Sequence, residues 1–348
     1  MRKIGLAATL LLAAGVSAPA FADDSCPPLT ILTSVDMTIG NSGRVFVPTQ
    51  INGTPRYMLV DTGGFFSELT QPVVAELQLK PRRTGLSMIG VSGSTTETAV
   101  GASFALGNLH ADSMDFMVSP DEMKFDKDLP GAAGILAPNL LTSYDADFDF
   151  AGKKFNLISQ KHCDGKVVYW PASTVAVVPI QMADRFHVML PVELDGHRYM
   201  ATLDTGASTT ILNLDNATRD FALKPGDADT PVLGALTSSK ATTTYTHRFH
   251  SLSLEGIAVS NPLLTLLPDL VTNKMRHATD TVSNDTRIRN PSEDAGLSDM
   301  ILGMDILHRF HLYIAYKEKN LYITPATAPA VAAAPAPVPA GAAPTPAH

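Results

Sequence analysis

Apolar and polar residues alternate with a period of two along much of the chain, the spacing of half-buried strands. Runs of this kind are Arg44–Ile51, Phe104–Leu109, Ser113–Val118, Val188–Leu194 and Leu312–Thr324. Asn52-Gly53 and Asp195-Gly196 fall between alternating segments. Such pairs tolerate the positive φ angles of a two-residue hairpin turn. Helical spacing is scarce: it predicts a short helix at Pro72–Leu77 and single turns at Pro138–Thr142 and Met304–His308. The pattern predicts an all-β fold.

The ends of the chain break this pattern. Arg2 and Lys3 precede an apolar run from Ile4 to Val16, and Ala20-Phe21-Ala22 supplies small residues for cleavage. Residues 1–22 therefore read as a secretory signal peptide, with an apolar core too short to span a bilayer in the usual way. A retained N-terminal anchor is the alternative. Cys26 follows Asp24-Ser25 and lacks the lead of a lipoprotein cleavage site. The chain is expected to be exported, periplasmic or secreted, with no integral membrane segment once the leader is gone. From Pro325 the sequence is almost wholly Ala and Pro, so 325–348 reads as a tail that buries no core.

Charge and cysteines narrow the classes. The formal charge is -8, and loss of Arg2 and Lys3 makes it more negative. An acidic chain without basic clusters argues against nucleic acid and anionic membrane as partners. Cys26 and Cys163 are the two cysteines. In an exported protein the simplest expectation is one disulfide, stapling the mature N-terminus to the middle of the chain. Two free thiols remain the alternative.

The chain also repeats itself. Tyr57-Met58-Leu59-Val60-Asp61-Thr62-Gly63 matches Met200-Ala201-Thr202-Leu203-Asp204-Thr205-Gly206. The same offset aligns Gly53 with Gly196, Ile51 with Leu194 and Pro48 with Pro191. Downstream, Gly90 matches Gly234. Gly134-Ile135-Leu136-Ala137-Pro138-Asn139-Leu140-Leu141 matches Met300-Ile301-Leu302-Gly303-Met304-Asp305-Ile306-Leu307. Two apolar strands running into Asp-Thr-Gly, each with the same sequel, form an internal repeat.

On these motifs the chain resembles the aspartic proteases of the retropepsin/pepsin clan, with both lobes on one chain. The resemblance covers about residues 44–158 and 187–324. It implies two pseudo-symmetric β-barrel lobes with the active site at their interface. The lobes would occupy 23–160 and 181–324, joined by a connection at 161–180. Residues 271–298 read as a polar surface insertion without a first-lobe counterpart. The implied activity is peptide hydrolysis by an aspartic endopeptidase, with Asp61 and Asp204 as the catalytic pair and a polypeptide as substrate. Two carboxyls a few ångströms apart cannot both ionise easily, so they share a proton and activate a water. This chemistry uses no cofactor and no metal. Both lobes being present, a monomer suffices.

The resemblance assigns further parts. Thr62 and Thr205 would bond across to the opposite loop, and Gly63 and Gly206 would allow a tight turn beside the carboxylates. Ile135-Leu136 and Ile301-Leu302 would cross beneath the loops. Ala137, where the second lobe has Gly303, would strain or shift the support under Asp61. Gly90, Val91, Ser92 and Gly93 look like the tip of a flap that closes over substrate, lacking the tyrosine of pepsins. Ser238-Ser239-Lys240 would be its second-lobe counterpart. Pepsin-like enzymes place a hydroxyl residue after the glycine, whereas Gly64 and Ala207 stand here. Without that donor the shared-proton state should persist to higher pH, giving a mildly acidic optimum.

Competing motifs are weak. His-Arg-Phe-His occurs at 247–250 and 308–311, but in a strand residues three apart face opposite ways and chelate poorly. Asp145-x-Asp147-x-Asp149 opens like a calcium loop, yet Phe150 stands where its glycine belongs. It reads better as a half-exposed strand. Ser92 lacks the spacing of a hydrolase elbow. Two other classes stay open: a catalytically silent protease-like module that binds peptides or assembles in the cell envelope, and a stalked envelope protein built around the tail.

Overall fold

The computed structural model describes residues 26–89, 95–119, 125, 127–183, 187–236, 239–268 and 298–326. The proposed signal peptide, the proposed flap tip and nearly all of the 325–348 stretch and the 271–298 segment lie outside these residues. The protein is mostly β, with two pseudo-symmetric lobes.

Each lobe is built on the hairpin that carries its Asp-Thr-Gly. Val45–Ile51 pairs with Thr54–Val60, and Val188–Leu194 pairs with His197–Leu203. The turns are Asn52-Gly53, with φ 47° and 73°, and Asp195-Gly196, with φ 47° and 86°. Two successive positive φ values give the turn twist that such hairpins need. Within Val45–Ile51, Val45, Val47, Thr49 and Ile51 point inward while Pro48 and Gln50 are exposed, so the alternation in sequence becomes a buried face.

A third strand locks each hairpin. Ala132–Leu136 lies between Thr54–Val60, to which it runs parallel, and Glu68–Leu69, to which it runs antiparallel. Met300–Leu302 is inserted the same way between His197–Leu203 and Ile211–Asn213. Ala132–Leu136 reads as an apolar run because all of its residues are buried, on both faces of the strand.

A six-stranded sheet joins the lobes. Its order is Ile31–Asp36, Lys154–Ile158, Asp145–Asp149, Phe310–Ala315, Asn320–Pro325, Ala176–Pro179. One face carries Phe148, Phe155, Leu157, Leu312, Ile314 and Ile323 into the main core. On the other face Asp145 and Asp147 are fully buried, which corrects the half-exposed strand expected there. The reason is tertiary. The segment after Ser159 folds back over this face, bringing His162 Nε2 to 2.7 Å from Asp145. From the neighbouring strand His311 Nε2 lies 2.6 Å from Asp147, and Trp170 stacks on that imidazole at 3.9 Å. Buried carboxylates persist where such partners satisfy them. Cys26 and Cys163 are disulfide-bonded, with Cα atoms 5.3 Å apart, and tie the start of the described chain to this cover.

Other expectations need correction. Phe104–Leu109 is not one strand: the chain turns at Gly107-Asn108, with Leu106 opposite Leu109. Leu312–Thr324 likewise folds into a hairpin with Ala315 opposite Asn320. Long alternating runs hide turns when the turn residues are themselves polar. A helix at Leu214–Phe221 was not expected; Asn213 caps it, accepting from the N–H groups of Asp215 and Asn216. The end of the 161–180 connection, Ala176–Pro179, is a sheet strand. Finally, the strands flanking the 271–298 segment, Leu263–Leu267 and Met300–Leu302, correspond to Leu109–Val118 and Ala132–Leu136. The latter pair is joined by 119–131, so the proposed insertion has a shorter first-lobe counterpart.

Candidate active site

The third strands place the two aspartates. Asp61 N–H donates to Leu136 carbonyl at 2.9 Å, and Asp204 N–H to Leu302 carbonyl at 3.0 Å. Each loop thus leaves its strand at the same height, and the two meet face to face. Thr62 Oγ1 donates to Leu203 carbonyl at 2.7 Å and accepts Thr205 N–H at 3.0 Å. Thr205 Oγ1 donates to Val60 carbonyl at 2.6 Å and accepts Thr62 N–H at 3.1 Å. Both threonines are fully buried, so four hydrogen bonds cross the lobe interface without competing water.

The glycines explain how close the carboxyls come. A Cβ on Gly63 would lie 2.3 Å from Asp204 Cγ, and one on Gly206 would lie 2.3 Å from Asp61 Cγ. No side chain fits either position. Gly63 N–H donates to Asp61 Oδ1 at 2.9 Å; Asp204 Oδ1 accepts Gly206 N–H at 2.8 Å and Ala207 N–H at 3.0 Å.

These surroundings set the protonation. Burial pushes Asp61 well above the usual carboxylate value; the neighbouring Asp204 charge pushes the same way and Glu68 adds to it. Burial also raises Asp204, but the Gly206 and Ala207 N–H groups, Asp61 and His187 oppose the rise. The pair titrates as a unit, and the two N–H groups on Asp204, against one on Asp61, favour the negative charge on Asp204.

Behind each loop stands a support that sequence reading missed. Ser67 N–H and Oγ donate to Asn139 Oδ1 at 2.8 and 2.9 Å, and Ala137 N–H donates to Ser67 Oγ at 3.1 Å. In the second lobe Thr210 N–H and Oγ1 donate to Asp305 Oδ1 at 2.8 and 2.6 Å, and Gly303 N–H donates to Thr210 Oγ1 at 3.1 Å. The repeat carried the signal, since Asn139 and Asp305 align in the downstream match. His187 was also missed: its Nε2 lies 3.1 Å from Gly64 carbonyl and its ring 4.7 Å from that of Phe65.

Ala137 does not strain the support. It is fully buried with φ −112° and ψ 173°, close to the −99° and 179° of Gly303. The hairpins of Arg82–Ile89 with Thr95–Leu106, and of Val232–Leu236 with Ser239–Arg248, occupy matching places in the two lobes. Gly90, Val91, Ser92 and Gly93 lie beyond the described part of the first. A cleft of about 600 Å³ lined by Gln71, Val74, Leu79, Thr96 and Ser119 contains neither aspartate. Among the described residues no three His, Cys, Asp or Glu side chains converge as a metal set. His308 Nδ1 contacts Met304 carbonyl while His311 faces Asp147.

A family model described as aspartyl protease matches residues 47–137 and 190–306, more than half of the chain and both aspartate loops. The chain belongs to the aspartyl protease family. No curated protein matches the sequence of this family member. Among solved structures it is similar to basic 7S globulin from soybean, at 11% identity and a TM-score of 0.45, over 85% of this chain and 95% of that one.

Proposed function

We propose that this aspartyl protease is an active endopeptidase, exported to the periplasm or beyond, that hydrolyses polypeptides with a water held between Asp61 and Asp204. One observation carries the reading: two carboxyls packed against each other's glycines, with burial and mutual charge favouring a single shared proton. The ionised Asp204 takes a proton from water as the water oxygen bonds to the scissile carbonyl carbon. Asp61 gives its proton to the carbonyl oxygen, forming a tetrahedral diol. On collapse the C–N bond breaks, Asp204 passes its proton to the leaving nitrogen and Asp61 recovers one from the diol. The pair ends with the single proton it began with. Neither a cofactor nor a metal enters these steps.

The test is incubation of the purified chain with an unfolded protein across pH, with and without pepstatin. Pepstatin-sensitive cleavage, lost in Asp204→Asn, is expected. A folded wild type that binds peptides but cleaves nothing would instead favour a silent binding module. Because both loops come from one chain, specific activity should be independent of enzyme concentration. Loss on dilution would mean that a second chain is needed. Among the described residues no helix is long and apolar enough to cross a membrane; N-terminal sequencing of exported protein would test cleavage after Ala22.

A further inference from the structure

The carbonyls just past the two Asp-Thr-Gly triplets are held in different ways. In the second lobe Ala207 carbonyl accepts the N–H of Met304 at 2.8 Å, the first residue of the helix Met304–Leu307. The equivalent first residue of Pro138–Leu141 is a proline, which has no N–H to give. Gly64 carbonyl, the counterpart of Ala207 carbonyl, meets His187 Nε2 instead, at 3.1 Å. His187 precedes strand Val188–Leu194 of the other lobe, and its ring packs on Phe65. A Cβ on Gly64 would lie 3.3 Å from Asp61 Oδ2, so a shift of this peptide moves the wall of the site.

We propose that His187 is a positioning residue of the second lobe that replaces the N–H missing at Pro138 and fixes the Asp61 loop across the interface. The Nε2–H form donates to Gly64 carbonyl whether the ring is neutral or cationic, so the bond survives titration. The charge has a second effect. On its own lobe the ring acts on Asp204, which a cation there holds lower. From the other lobe it meets the loop of Asp61, followed by Glu68. The inference deepens the protease reading and rests on it for its kinetic consequence.

A double-mutant cycle tests it. His187→Ala is expected to lower kcat by about tenfold or more with little change in KM, since small misplacements of a catalytic group cost that much. Pro138→Ala restores a backbone donor beneath Gly64, and in the His187→Ala background it should return most of the lost kcat. His187→Gln, which keeps a donor, should retain more kcat than His187→Ala. Both should move the acid limb of the pH profile upward, because Asp204 loses a nearby cation, and Pro138→Ala should not reverse that shift. Wild-type kcat in His187→Ala, or no rescue by Pro138→Ala, would overturn the proposal. The same four proteins compared by urea unfolding need no activity. Positive coupling there in a protein that cleaves nothing would sink the protease reading and keep the positioning role. Additive effects in unfolding would remove the positioning role even from an active enzyme.

Discussion

Around Asp204 the loop is held by its own lobe: Met304 N–H and Asp305 N–H donate to Ala207 and Ser208 carbonyls, and two backbone N–H groups reach the carboxylate. Around Asp61 the holding groups differ. One N–H reaches the carboxylate, Pro138 offers no donor, and the imidazole that meets Gly64 carbonyl comes from the other lobe. The methyl groups are exchanged as well. A Cβ on Gly303 would lie 2.4 Å from Thr209 carbonyl oxygen, whereas Ala137 fits under a loop that carries glycine at position 64. Two halves with one repeated pattern thus place their aspartates alike while giving the carboxylates different donors, which favours the pair's negative charge on Asp204.

The sharpest way to break this comparison is to remove each carboxyl in turn. Asp61→Asn and Asp204→Asn should each lower kcat by roughly 10²- to 10⁴-fold or more, with the fold intact by circular dichroism. Their stabilities should differ in pH dependence. Asp61 is raised in the folded state from its usual 3.8, so the native state binds more protons. The contribution of this carboxyl to stability is therefore fully present below the unfolded value and is lost as pH rises through the raised one. Asp61→Asn should remove the larger share of that fall in urea titrations taken at several pH values. Equal flattening by both mutants would erase the asymmetry.

The swapped methyl comes next. Gly303→Ala should cost about 3 kcal/mol, because backbone must move to admit the Cβ. Ala137→Gly should cost about 1 kcal/mol through lost burial and added chain freedom. Denaturant midpoints decide; similar costs at the two sites would mean the lobes tolerate the methyl alike.

A smaller effect sharpens the electrostatic difference. Gly64→Ser places a hydroxyl beside Asp61 Oδ2, and a charge-assisted hydrogen bond of about 1.5–3 kcal/mol corresponds to roughly one to two pKa units. Both limbs of the pH–rate profile should move down. Ala207→Ser should shift them less, since Asp204 already accepts two N–H groups. The smallest expected change is Glu68→Gln. It removes a negative charge that raises Asp61 and should lower the pair's upper pKa by less than about one unit. No movement in the alkaline limb would place Glu68 out of electrostatic reach.

By itself the sequence determined the strands that alternate, the two hairpin turns at Asn52-Gly53 and Asp195-Gly196, and the repeat that names Asp61 and Asp204. These rest on local chemistry: side-chain period, tolerance of positive φ, and identity of short motifs. It also held the signal for Ser67 with Asn139 and Thr210 with Asp305, since both pairs align in the repeat. Only the tertiary structure decided which carbonyl meets His187, why Ala137 is tolerated where its mate must be glycine, and why Asp145 and Asp147 are buried rather than half exposed. Each of those depends on residues far apart in the chain, brought together when one lobe packs on the other or a connection folds back over a sheet. Spacing along a chain reports what a residue can do locally; which partner satisfies it is fixed by the packing that removes the water.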